Sequence, residues 1–174
     1  NEIRVILEEI RGSRKEAALI LADFGLRRSE MCALTDDDNK DGKISITKAL
    51  VQDKDKKWAV KQTKTENGTR IVKVPIEVTD RIRDIGLYNG YPGSILKYLY
   101  RTQNQLGIPR FQLHKFRHYY ASICHYLGIP DNYIMLSGGW KTDNILKTVY
   151  RHALADKSSE MDRISGDHLK TIVL

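Results

Sequence analysis

The apolar residues of this chain change their spacing twice. Ile3, Ile6, Leu7 and Ile10 recur every three to four residues, which lays them along one stripe of a helix. Between residues 44 and 74 the spacing drops to two. Ile44 alternates with Ile46, Trp58 with Val60, and a β-branched run of Ile71, Val72 and Val74 ends at Pro75. That period sets apolar side chains on one face of a strand. Helical spacing then returns. A chain patterned this way is expected to fold as an α+β domain, mostly helical, with three short antiparallel strands inserted after the first helices.

Local signals place the ends of the elements. Ser13 followed by Glu16 reads as a capping box, opening a helix through Ala17, Leu19, Ile20 and Leu21 that Gly25 can close in the left-handed region. Residues 29–34 read as one or two helical turns and 35–42 as an acidic turn. The link 63–69 holds Asn67-Gly68, a tight-turn dipeptide. Further helices are expected over 79–85, 94–106 and 113–127. Gly107 and Pro109 end the second of these, and Gly128 and Pro130 the third. Shorter helices are expected over 131–137, 144–149 and 153–164.

Length and composition bound the class. The chain has 174 residues, 41% of them hydrophobic, which suits one domain with one core. Its longest pure apolar run, residues 17–22, falls far short of the roughly 20 residues a bilayer span needs. No basic-then-apolar segment opens it, so no secretory signal is expected, and Asn1 in place of Met points to a piece of a longer protein. Cys32 and Cys124 cannot build a disulfide framework, and a reducing cytoplasm is the expected compartment. The net charge is +7 and the pI about 9.4. That balance suits a phosphate-backbone partner, although solubility alone would account for it equally.

Two metal-like patterns are set aside. Asp37, Asn39, Asp41 and Gly42 match the first half of a calcium loop, but Lys48 stands where the bidentate glutamate belongs. An Asp/Gly turn leading into a strand is the better reading. His114 and His118 lie four apart, as zinc ligands can, yet Lys115, Phe116 and Arg117 fill the interval and no third ligand is evident. No metal or cofactor is expected.

Three further patterns occur in order. They are Gly25-Leu26-Arg27-Arg28-Ser29-Glu30, then His114-Lys115-Phe116-Arg117, then Gly138-Gly139-Trp140 with Tyr150 ten residues on. In this order and at these separations they resemble the catalytic domain of tyrosine recombinases, the phage and transposon integrase family, over residues 15–152. The resemblance implies site roles for particular residues. Arg27 and Arg117 would be the two phosphate-binding arginines and Glu30 a buried acidic partner. Lys64, with Thr65 and the downstream Arg70, would be the lysine of the β-hairpin turn. His114 would pair with Arg117, Trp140 would fill the histidine-or-tryptophan position, and Tyr150 would be the nucleophile. Many members instead have histidine at the Trp140 position, one residue closer to the tyrosine.

The chemistry of these side chains fits such roles. Attack on a phosphodiester builds negative charge on the nonbridging oxygens, which two permanently charged guanidiniums can hold bidentately without a metal. A cationic pocket favours the phenolate of a tyrosine, otherwise a poor nucleophile. His114 can accept a proton or donate to the phosphate, and Lys64 can protonate a departing 5′ oxygen. Trp140 carries one N–H and no acceptor, so it can donate or pack. Lys56, Lys57, Lys61 and Lys115 are candidates for DNA-backbone contact. Tyr98, Tyr100, Tyr119, Tyr120 and Tyr126, at helical spacing, are expected to pack rather than stack on bases.

By this resemblance the chain would nick double-stranded DNA, hold a covalent 3′-phosphotyrosine and exchange strands in a homo-tetramer without ATP. It would be a bacterial or phage-encoded catalytic domain, monomeric when isolated. The segment 151–174 would pack either on its own domain or on a neighbouring subunit. The alternatives are a type IB topoisomerase-like relaxing enzyme and a DNA-binding module that has lost catalysis.

Overall fold

Ser13 does cap a helix in the computed structural model, which describes residues 2–63, 68–144 and 146–148. Its Oγ accepts from the Glu16 N–H at 3.3 Å. The reciprocal half of the expected capping box is not made. The Glu16 carboxylate takes the Gly12 N–H instead and a two-pronged contact from Arg81 at 3.1 and 2.9 Å. A guanidinium offers a carboxylate two charged donors where the box offers one neutral N–H, so Arg81 draws it away.

The helices are α1 (Glu2–Glu9), α2 (Arg14–Asp23), α3 (Arg28–Met31), α4 (Ile76–Ile85), α5 (Pro92–Gln105), α6 (His114–Tyr126) and α7 (Asp131–Gly138). Pro92 sits in the first turn of α5, where its missing N–H costs nothing. Among the described residues no helix is long and apolar enough to cross a membrane. Ile6, Leu19, Leu21, Ile82, Ile95, Leu99 and Phe116 are almost wholly buried in the main core. A second cluster joins Ala121 and Cys124 of α6, Ile134 of α7, Trp140 and Leu146.

Among the described residues five strands lie between α3 and α4: β1 (Asn39–Lys40), β2 (Lys43–Ile46), β3 (Lys48–Gln52), β4 (Trp58–Gln62) and β5 (Arg70–Lys73). The three-stranded antiparallel sheet has the order β1-β2-β5, with Ile44 opposite Val72 and Ile46 opposite Arg70. Its third member corrects the sequence reading. The strand of Trp58 and Val60 is absent from it and pairs with β3 in a separate hairpin. Ile44, Ile46 and Val72 are buried, whereas Trp58 and Val60 are 38% and 57% exposed. The alternation in β4 therefore reflects strand pairing and not burial of one face. The calcium-like segment forms the turn from β1 to β2. Asp41 and Gly42, both at positive φ, make a two-residue loop across the Lys40–Lys43 pair, and Lys48 donates to Asp38 at 2.8 Å.

Candidate active site

The site begins at the turn after α2. Gly25, at φ +84°, lets the chain reverse, and Tyr120 packs so close that a β-carbon on Gly25 would stand 3.0 Å from its ring. The reversal places Arg27 as the residue capping α3. Its backbone N–H donates to Glu30 Oε2 at 2.7 Å and its Nη1 to Glu30 Oε1 at 2.6 Å. Glu30 is 2% exposed.

Glu30 also receives a second arginine. Arg70, at the start of β5, donates through Nη1 and Nη2 to its two oxygens at 3.0 and 2.9 Å. Burial alone would push the Glu30 carboxyl up, but the Arg70 fork and Arg27 together hold it below the usual carboxylate range. The sequence pattern places Arg70 near the lysine turn; nothing in it marks Arg70 as buried.

Arg117, one turn into α6, is 4% exposed. Its Nη1 donates to the Gly25 carbonyl and its Nη2 to the Gly138 carbonyl at 2.9 Å. Burial, with repulsion from Arg27, pushes its guanidinium down to about 9, so it stays charged at neutral pH. Its Cζ lies 4.6 Å from the centre of the Trp140 ring, a cation–π contact. Trp140 is 8% exposed and packs in the second core cluster.

Arg27, His114 and Arg117 line one cleft of about 240 Å³ with Arg28, Ser29, Leu96, Gln112 and Leu113. Trp140 does not line it and reaches the site through Arg117. His114 is exposed at the start of α6, and partial desolvation and the Arg117 charge, with His118, Arg27 and Arg28, lower its pKa. The His114 and His118 rings meet edge to face at 5.5 Å, and no group of three metal-ligating side chains occurs among the described residues. Arg28, Ser29 and Gln112 were missed as site residues. The Arg28 and Ser29 signal was their position inside the first motif; Gln112 carries none.

The remaining candidates are dispersed. Lys56, Lys57 and Lys61 are exposed on the β3–β4 hairpin. Lys115 is exposed on α6, its ammonium 5.2 Å from the Phe111 ring centre. Lys64 and Tyr150, and the segment 151–174, lie outside the described residues. Of the five tyrosines expected to pack, Tyr98, Tyr100, Tyr119 and Tyr120 are half-buried. Tyr126 is 58% exposed, a correction: it falls in the last turn of α6, facing away from the core.

No family model matches this sequence, and no curated protein matches it. Solved structures do. The Tn1549 transposon integrase in complex with transposon right-end DNA is 21% identical, with a TM-score of 0.72 over 93% of this chain and 64% of that one. XerA recombinase is 17% identical, with a TM-score of 0.71 over 92% of this chain and 62% of that one. A lambda integrase dimer bound to a COC′ core site is 18% identical, with a TM-score of 0.58 over 86% and 46%. The chain thus spans less than two thirds of each. At these identities the likeness is one of fold, and the fold is that of tyrosine-recombinase catalytic domains.

Proposed function

We propose that this chain is the catalytic domain of a longer tyrosine recombinase that cuts and rejoins duplex DNA at specific sites. The observation that carries the reading is the cleft itself. Two arginines from distant parts of the chain, Arg27 and Arg117, border one cavity beside an imidazole, within a fold shared with integrases. Glu30 and backbone carbonyls occupy only some of their N–H groups, and a guanidinium has five. The remainder can receive the nonbridging oxygens of a phosphodiester and the charge that grows on them.

Tyr150 attacks the scissile phosphorus and forms a 3′-phosphotyrosine. The bond from phosphorus to the 5′ oxygen is exchanged for a bond to the phenolic oxygen while the bond to the 3′ oxygen is kept, and the 5′ oxygen leaves with a proton from Lys64. His114, held mainly neutral at pH 7 by its surroundings, takes the phenolic proton or donates to the phosphate. Because the covalent bond conserves the energy of the broken one, rejoining requires neither ATP nor a metal. Four such chains on paired DNA sites would exchange strands, with the segment 151–174 packed in cis or in trans.

The test is capture on a suicide DNA substrate, whose nicked fragment diffuses away and strands the covalent complex. The chain should yield a denaturant-stable adduct. Tyr150→Phe removes one oxygen, so it should keep DNA binding and lose the adduct entirely. An adduct that persists in Tyr150→Phe would assign the nucleophile to another residue.

A further inference from the structure

Three successive carbonyls at the C-terminal end of α7 each accept from a different arginine. Arg70 of β5 donates through Nε to Ser137 at 2.7 Å. Arg117 of α6 donates through Nη2 to Gly138 at 2.9 Å. Arg27, from the turn before α3, donates through Nη2 to Gly139. The last carbonyls of a helix lack intrahelical donors and carry the negative end of its dipole, so cationic donors are well matched to them. Two of the three arginines line the cleft. The third, Arg70, does not: its side chain is 2% exposed and contacts no cleft space.

Arg70 is nevertheless tied to both of the others. Its fork grips the same Glu30 carboxylate that holds Arg27, and its Nε fixes the carbonyl next in line to the one that holds Arg117. We propose that Arg70 is a positioning residue for the phosphate-binding arginines. It locks the α7 end against α3, and that lock sets the separation and aim of Arg27 and Arg117. The inference rests on the recombinase reading and adds a residue to it. A lysine at this position keeps the charge but offers a single donating atom in place of a rigid fork. It cannot hold both Glu30 oxygens and the Ser137 carbonyl at once.

The test compares two suicide substrates, one with an ordinary scissile phosphate and one with a neutral methylphosphonate there. A methylphosphonate has one nonbridging oxygen replaced by methyl, so its reaction depends far less on aligned guanidiniums. In the full chain, Arg70→Lys should slow adduct formation by about 100-fold on the ordinary phosphate, the scale of loss for a misplacement of about 1 Å. Its DNA affinity should stay within about threefold, since the loss is one of alignment in the transition state. On the methylphosphonate the same variant should fall within about threefold of the parent chain. Should Arg70→Lys fail to fold by circular dichroism, Arg70→Gln, which can keep one bond to Glu30 but not the fork, should show the same dependence on substrate. Equal slowing on both substrates, or no slowing on either, would overturn the positioning role. A parent chain that forms no adduct on either substrate would instead refute the recombinase reading, and the inference with it.

Discussion

Replacing Gly138 by alanine should dislodge Trp140. A β-carbon at Gly138 would stand 1.7 Å from Trp140 Cζ3 and 2.1 Å from Cε3, well inside contact distance. The backbone has little room to yield, because the Ser137, Gly138 and Gly139 carbonyls are each held by an arginine. The ring must therefore leave a site where it is 8% exposed and packed among Ala121, Cys124, Ile134 and Leu146. Overpacking of this kind costs about 1–3 kcal/mol. Losing the contact with Arg117, a desolvated cation–π pair, adds about 1–2 kcal/mol. Alanine's better helix propensity returns about 1 kcal/mol, leaving a net loss of about 1–4 kcal/mol. At this chain length that lowers the Tm by roughly 10 °C. Urea unfolding measures the loss directly. Fluorescence in a Trp58→Phe background reports Trp140 alone, and its emission should shift to the red as the indole meets water. A urea midpoint equivalent to less than about 0.5 kcal/mol of change, with unshifted emission, would refute the claim that the indole is seated on Gly138.

Asp23→Asn should stabilise the protein above pH 6. Burial pushes the Asp23 carboxyl up to about 6, and its Oδ1 is buried with no hydrogen-bond partner among the described residues. A raised folded-state pKa contributes stability that is present below the unfolded value near 4 and is lost as the pH rises through about 6. Denaturation at pH 3.5 and pH 8 should show the variant gaining about 1–2 kcal/mol only at the higher pH, allowing for the part of the side chain that water still screens; an equal gain at both would refute the titration. Duplex binding should be backbone-dominated. With one phosphate contact for each of Lys56, Lys57, Lys61 and Lys115, affinity should fall about 150-fold between 50 and 200 mM salt, and a flat titration would rule that mode out.

The elements were legible where the signal is local. Gly25, Asp41-Gly42 and Gly128 mark reversals because each needs a backbone conformation that few residues adopt. The helices of α2, α5 and α6 follow their apolar stripes to within a few residues, and α4 begins at Ile76 directly after Pro75. The two-stranded hairpin was half hidden. Lys48–Gln52 places Leu50 and Val51 side by side, so it shows no alternation, and its partner faces water on both sides. Such a strand exists by pairing with its neighbour and leaves little trace in hydrophobic period. Arg27, Glu30, His114 and Arg117 were legible as motifs; that Arg27, His114, Arg117 and Trp140 should meet in one pocket was expected only through the family resemblance, and of these Trp140 does not line the cleft.

What the amino-acid order determined by itself is therefore short in range: periods, caps, turns, and the residue types able to handle a phosphate. Contacts across long stretches of chain were decided by the tertiary structure. Glu30 meets Arg70 across 40 residues, Arg70 meets Ser137 across 67, Arg117 meets Gly25 across 92 and Arg27 meets Gly139 across 112. No local preference encodes these pairs. They arise because β5, α6 and the turn before α3 converge on the end of α7, and because burying Arg70 and Arg117, with Arg27 half-buried beside them, is tolerable only where one carboxylate and three helix-end carbonyls balance their charge.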